Sequence, residues 1–556
     1  MKRNLKEAAN DVYDLVVVGG GIYGAALAWD AVGRGLRVCL IEKSDFSSGT
    51  SANSLKIIHG GLRYLQHADF RRMRESIREQ HALMRIAPHL VHPLPVLIPT
   101  YGNGMRGKTV LATAVNLTRL IGFDSYRQRD AGCGMPRGRV VSRQEVMKLL
   151  PGIESERLTG GVIFFDAQVY NSERLLMSFL RSASAAGAVL INYAEVTGFL
   201  EQADSVAGVT VRDALGGDRF HVRGKMVVLA CGPWTDRVTG LLARKQLKPS
   251  AGFVKAVNMV TRLIFEKYAV GISTRERNGD PAALDDKRNR LLFIAPWRQR
   301  SLIGTAYIDT KEDPDQLKIT DRDLQDFLDQ VNVACPSADL KREEVTFVHG
   351  GLVPRARKGA SKGSVDLAKQ YQIRDHREEG VKGLISLIGV KYTTARDVAQ
   401  KTVDQVFRSW DRKPPQSRSS LSPLYGGHME RFDEFVKAQI ACRNGLGEEA
   451  LRRLIYNYGS AYPEVLRHLH FSDRRSPCTD NSAILKAEVL HGVRTEMAQK
   501  LADVVFRRTE LGSAGHPGKE ALQACAETMS AELGWSALRT RQELQEVEDI
   551  FNAWQY

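Results

Sequence analysis

The stretch SLKIIHGGLRYLQ, residues 54–66, places His59, Gly60, Gly61, Arg63 and Tyr64 side by side. His59 is the one side chain of this group whose ordinary pKa lies near neutrality, which suits proton transfer. It can equally be a histidine held for structure. Arg63 carries a guanidinium whose fork donates two parallel hydrogen bonds, a match for a phosphate. Such a constellation needs elements that hold it against whatever reacts.

Those elements begin upstream, in DLVVVGGGIYGAALAWDAVGRGLRVCLIEK. Residues 15–18 form a continuous apolar, β-branched run, as in a strand buried on both faces. Gly19, Gly21 and Gly24 then spell G-x-G-x-x-G, residues 25–32 are good helix formers, and 36–41 read as a second strand ending at Glu42. Gly19 permits the tight turn, Gly21 lets backbone approach a pyrophosphate, and Gly24 allows close helix–strand packing. The helix N-terminus holds the phosphate charge. Glu42, 18 residues after Gly24, stands where an acid takes ribose hydroxyls. Strand, glycines, helix, strand and acid together predict a dinucleotide-binding fold.

The segment SDFSSGTSANS, residues 44–54, favours FAD over NAD. It is a small, hydroxyl-rich loop, with Thr50, Ser51 and Ser54 among its donors, and such a loop can wrap a diphosphate and a flavin. A plain surface loop is the other reading of the same residues.

Taken together, VVVGGGIYGA and SGTSANSLKIIHGGLRYL resemble the FAD-dependent glycerol-3-phosphate dehydrogenases, the membrane-associated flavoenzyme kind. The likeness continues through GGVIFFDAQVYNSERLLMSFLRSASAAGAVLINYAEV (160–196) and VVLACGPWTDRV (227–238), with Ala230, Gly232 and Trp234 as A-x-G-x-W. It extends through residues 291–320, GLISLIGVKYTTARDVAQKTVD (383–404) and the helical tail, roughly 12–540 in all. HGGLRY and G-x-K-Y-T-T are its specific parts.

The resemblance implies FAD as cofactor and a small phosphorylated polyol, glycerol 3-phosphate, as substrate. Its secondary alcohol is oxidised to a ketone, and electrons pass on to quinone at a membrane surface. The sequence is equally compatible with oxygen as acceptor. HGGLRY would lie along the flavin, its two glycines letting backbone pass close to a flat ring. Arg63 and Tyr64 would then point at the substrate, with His59 as base. Gly389 and Lys391 would stand near the flavin, Lys391 stabilising negative charge on the reduced ring. Thr393 and Thr394 would cap the helix 395–407 and offer donors to the cofactor. Without the resemblance, KYTT is simply a helix N-terminus.

Two departures stand out. The family commonly reads G-V-R-P before its phosphate-binding segment, whereas this chain reads GGLVPRAR, with Val353 at the arginine position and Arg355 two residues later. A neighbouring R-x-Y element has Lys369 before Tyr371, which keeps the charge but loses the fork. Arg63, Arg355 and Lys369 are therefore the candidate phosphate ligands, and another polyol phosphate is the alternative substrate.

The expected fold is α/β: a Rossmann-like FAD-binding part (10–70, 220–240, 380–410) interleaved with an α+β substrate part (75–215, 245–375) in one body, 1–410. A Pro- and Ser-rich linker (411–427) leads to a helical domain (428–556) whose apolar residues recur at helical spacing. Among 556 residues the net charge is +15, a surface that attracts anions. No aromatic-rich RNA platform accompanies it, so nucleic acid is not an expected partner. Seven scattered cysteines without C-x-x-C give no zinc cage and suggest a reducing compartment. The N-terminus shows no apolar signal core. The apolar stretch 110–123 is too short to span a bilayer and reads as a core or surface-lying helix. These features point to the cytoplasm, and the resemblance to its membrane face. An amine or amino-acid oxidase is the nearest rival enzyme, and a non-catalytic flavin-fold module the rival class.

Overall fold

The computed structural model describes residues 1–61, 64, 69–101, 135–243, 245–273, 291–356, 367–442, 446–469 and 481–553. Arg63 and the stretch 110–123 lie outside them.

The apolar run at the start becomes the strand Val12–Val18, paired in parallel with Val38–Ile41 on one side and Arg219–Leu229 on the other. Val189–Ile191 and Leu384–Ile388 extend the parallel sheet outward. The antiparallel strand Gln372–Asp375 closes one edge, and the hairpin Ala194–Gln202/Ser205–Asp213 continues from Arg219–Leu229. Leu15, Val17, Leu40 and Val228 are fully buried, as strands covered on both faces require. The helix Ile22–Gly33 packs between the helices Ser172–Ala185 and Ala395–Ser409.

A second sheet has the order Phe347–Pro354, Phe253–Arg262, Arg300–Asp309, Leu291–Trp297, Ala269–Ser273, Val91–Tyr101, Leu158–Val169 and Ile57–Ile58, with Arg139–Ser142 beside Leu158–Val169. Its pairings are antiparallel except where Ala269–Ser273 meets Val91–Tyr101. Ile57–Ile58 belongs to this sheet although it follows the nucleotide unit directly, so residues 44–56 carry the chain from one sheet to the other. Interleaving follows from that crossing and the later returns.

The tail forms the helices Phe432–Ala441, Glu448–Tyr458, Tyr462–Leu466, Asn481–Glu496, Lys519–Leu533 and Ala537–Asn552. Its first helices have apolar clusters of their own, with Leu454, Val465 and Ile484 in one and Phe432, Leu451 and Ile455 in another, whereas its later part shares the core of the second sheet. Val504, Leu522, Met529 and Phe551 share one apolar cluster with Val257, Trp297 and Phe347 of the second sheet. The Pro- and Ser-rich segment between body and tail is packed down rather than loose. Leu424 is fully buried and donates its N–H to Ile86 O at 2.8 Å. Ser419 donates to Asp30 at 2.7 Å and accepts from Arg396 at 2.9 Å. Its hydroxyls satisfy buried charges, a use of serine that composition does not distinguish from a linker.

Candidate active site

Local chain geometry builds the nucleotide end. Gly19 has φ +112°, and a Cβ there would stand 2.6 Å from Ala230 O. A Cβ on Gly24 would stand 1.9 Å from Gly19 O, so helix and strand approach as only glycine permits. Gly21 is the N-cap of the helix Ile22–Gly33 and supplies no capping side chain. Ser51 Oγ accepts from Ile22 N–H at 3.0 Å. Glu42 accepts from the N–H groups of Gly20 (2.6 Å) and Ser44 (2.9 Å). Desolvation pushes its carboxyl above the usual range, against the pull of those two donors. A Cβ on Gly232, where φ is +52°, would meet nothing within 4 Å. A helix whose N-cap carries no side chain, an anchored carboxylate and open space at Gly232 fit a dinucleotide such as FAD.

The hydroxyl-rich loop does more than face a cofactor. Thr50 Oγ1 donates to Leu352 O and accepts from Leu352 N–H, both at 3.1 Å, which ties the loop to the strand Phe347–Pro354. Ser54 Oγ accepts from Lys56 N–H at 3.2 Å. Lys56 then buries its ammonium on Ser172 Oγ (2.7 Å) and Glu173 (3.2 Å), anchoring the strand that leads to His59.

The HGG turn is held by a residue that the spacing does not single out. Asp166, on the strand Leu158–Val169, accepts from Gly60 N–H at 2.6 Å, and Gln80 donates to Ile58 O at 2.9 Å. Burial pushes the Asp166 carboxyl up to about 6, against the hydrogen bonds it accepts from Gly60 N–H and, at 3.5 Å, from Gln80. Gly61, at φ +83°, turns the chain so that Tyr64 folds back over it. A Cβ on Gly61 would lie 2.5 Å from the Tyr64 ring.

Here the predicted residues converge. The His59 and Tyr64 rings meet edge to face with centroids 5.9 Å apart. The Lys391 ammonium donates to the Tyr64 hydroxyl and stands 4.2 Å from the ring centroid. Arg72, another side chain that sequence reading misses, lies 4.4 Å from the same ring and pairs with Asp69 at 3.1 Å. Lys391 is fixed through its backbone: Tyr23 OH donates to Lys391 O at 2.6 Å and accepts from Lys391 N–H at 3.1 Å. Gly389 makes room, since a Cβ there would stand 2.0 Å from Tyr23 Cζ. Tyr23 lies inside the glycine fingerprint, so the fingerprint helix also positions the lysine.

Other predicted residues are placed differently. Thr393 is buried, and Thr394 is the N-cap of Ala395–Ser409 but makes no side-chain capping bond. Arg355 is paired with Asp309 at the end of the second sheet, and Lys369 is exposed. Val353 is half-buried opposite Val254.

The family model described as FAD dependent oxidoreductase matches residues 14–374, and that described as C-terminal domain of alpha-glycerophosphate oxidase matches 417–540. A glycerol-3-phosphate dehydrogenase of Synechocystis sp. is 33% identical over 98% of both chains. The mitochondrial glycerol-3-phosphate dehydrogenase of Homo sapiens is 29% identical, over 96% of this chain and 72% of that protein. The structure of the glycerol-3-phosphate dehydrogenase from Bacillus halodurans complexed with FAD has the same fold, with a TM-score of 0.76 at 24% identity, covering 98% of this chain and 96% of that one. The chain thus belongs to the FAD-dependent oxidoreductases and, among them, to the glycerol-3-phosphate dehydrogenase family.

Proposed function

We propose that this chain oxidises the secondary alcohol of glycerol 3-phosphate to dihydroxyacetone phosphate. The observation that carries the reading is that Lys391, 327 residues from Tyr64 in sequence, meets the His59–Tyr64 pair beside the glycine-built nucleotide site. The relatives' names supply the substrate. FAD, when bound, would supply the hydride-accepting redox chemistry for oxidation at the carbinol carbon. Gly19, Gly21, Gly24, Glu42, Ser51, Gly232 and Gly389 would hold it, with Thr50, Ser54, Thr393 and Thr394 shaping the walls.

His59 takes the hydroxyl proton, which leaves the oxygen free to become a carbonyl. Lys391, braced by Tyr64, supplies a fixed positive charge where negative charge develops. Arg63 receives the substrate phosphate, with Arg355 and Lys369 at the rim. Thr50 draws the strand that leads to Arg355 against the hydroxyl-rich loop, which supports that placement. Electrons leave to a quinone at the membrane face, the acceptor that the resemblance implies, and oxygen fits the same chemistry. Among the described residues no helix is long and apolar enough to cross a membrane.

Two variants test the roles. His59→Ala should slow substrate-driven flavin bleaching and alter its pH profile. Arg63→Ala should raise KM for the phosphorylated substrate while FAD content holds. An unchanged bleaching rate and profile in the first would remove His59 as base, and an unchanged KM in the second would remove Arg63 from the phosphate site.

A further inference from the structure

Asp45 lies three residues beyond Glu42 and is fully buried. Its neighbours press on the back of the glycine loop. The ring of Phe46, also fully buried, would stand 2.7 Å from a Cβ on Gly20, and Ser47 N–H donates to Gly20 O at 3.2 Å. What fixes this turn comes from the other end of the chain. Arg508 donates Nη1 and Nη2 to the two oxygens of Asp45 at 2.8 and 2.7 Å, and Arg507 donates Nε to the same carboxylate at 2.6 Å. Asn192 adds a hydrogen bond at 3.2 Å.

Neighbouring residues on an α-helix point about 100° apart and do not meet one carboxylate. Val504–Arg508 is wound as a π-helix, a form that concentrates at functional sites, and its last two guanidinia converge on Asp45. Both are braced. Arg508 also donates to Glu496 O at 2.9 and 3.1 Å, and Arg507 donates to Asp503 at 2.7 Å, which accepts from Tyr193 OH at 2.6 Å. Arg174 holds Glu496 with a two-point fork at 2.6 and 2.9 Å. Three buried carboxylates thus face the buried guanidinia of Arg174 and Arg508 and the partly exposed one of Arg507. A buried network of this kind need not add stability over an apolar core of the same shape, whereas it holds its groups at fixed distances.

We propose that Arg507 and Arg508 are positioning residues for FAD. From the C-terminal helices they fix the Asp45–Ser47 turn, and through it the glycine loop and the Glu42 carboxylate. The inference rests on reading Gly19–Gly24 and Glu42 as the dinucleotide site. It gives the helical tail a part in cofactor retention.

The test uses the full chain as Arg508→Lys, Asp45→Asn, the double variant, and Arg453→Lys as control. Arg453 pairs with Glu488 at 2.8 Å within the tail and does not touch Asp45. FAD affinity is read by quenching of added flavin fluorescence on apoprotein, alongside the thermal midpoint of each apoprotein. Arg508→Lys and Asp45→Asn should each weaken FAD binding about tenfold, and the double variant should be no worse than the weaker single one. Arg453→Lys should stay within about twofold of wild type however far its midpoint falls. Should Arg508→Lys fail to fold, Arg507→Lys, whose side chain reaches solvent, carries the same expectation. Equal FAD affinity in wild type and the Asp45-site variants, or loss of affinity that follows the midpoint in every variant including Arg453→Lys, overturns the inference and leaves the enzyme's function standing. A wild-type chain that binds no FAD overturns both.

Discussion

Lys391 and Tyr64, 327 residues apart in sequence, share a hydrogen bond from ammonium to phenol, and the charge sits 4.2 Å from the ring centroid. The pair joins the loop after the Leu384–Ile388 strand to the HGG turn. In the proposed reaction the pair would present this cation already fixed, without reorganisation as charge develops.

Tyr64→Phe keeps the ring and removes the hydroxyl that accepts from Lys391. It should slow substrate-driven flavin reduction about tenfold, and Lys391→Met about a hundredfold, with FAD content unchanged in both. Anaerobic stopped-flow spectra read this directly. Wild-type rates in both variants would take the pair out of the reaction.

Gly389 and Tyr23 interlock, the missing Cβ leaving space for the ring. Gly389→Ala should cost about 1–3 kcal/mol through overpacking. Tyr23→Ala removes the ring that the new methyl meets, so the double variant should lose less than the sum of the two singles. Urea midpoints on the four proteins give the coupling. Strict additivity would mean that the two residues do not meet.

Asp166 makes stability depend on pH in a stated direction. Its carboxyl rises from an ordinary 3.8 to about 6 in the folded chain. The stabilisation is complete below 3.8, where both states hold the proton, and is lost as pH rises toward 6, because the unfolded chain ionises first. The loss is about 3 kcal/mol at most. Asp166→Asn still accepts from Gly60 N–H but cannot ionise. The stability difference between wild type and variant should therefore change between about pH 4 and 6 and stay flat above it. A constant difference across that window would contradict the buried carboxyl.

Arg355 already holds a carboxylate. If it also serves the substrate phosphate, Asp309→Asn should free it and lower KM for the phosphorylated substrate about threefold, while Arg355→Ala raises KM. Steady-state kinetics at low ionic strength show the effect best. No change in either variant would leave the phosphate to other cations.

What the sequence discloses follows the range of the interactions. The glycine fingerprint is local: turn, helix and strand are encoded within thirty residues, and the predicted strand 36–41 is observed as Val38–Ile41. Asp166 is not legible by spacing, because its partner is a backbone N–H 106 residues away. The two arginines on Asp45 escape notice for the same reason, at separations of 462 and 463. Hydroxyl residues mislead in another way, since they have several acceptors within reach. Thr394 is read as a capping side chain and makes no such bond, and Thr50 spends its hydroxyl on Leu352. Lys391 comes out of the resemblance rather than its own surroundings, where KYTT reads as a plain helix start.

The measurement that tests the central claim is an anaerobic visible spectrum of the purified protein, before and after glycerol 3-phosphate is added. The account predicts an oxidised flavin band that bleaches on addition, with dihydroxyacetone phosphate formed in equal amount. A flavin band that persists with glycerol 3-phosphate, while another polyol phosphate or an amino acid bleaches it, would contradict the assigned substrate, and Val353 and Lys369 would be the first positions to explain why.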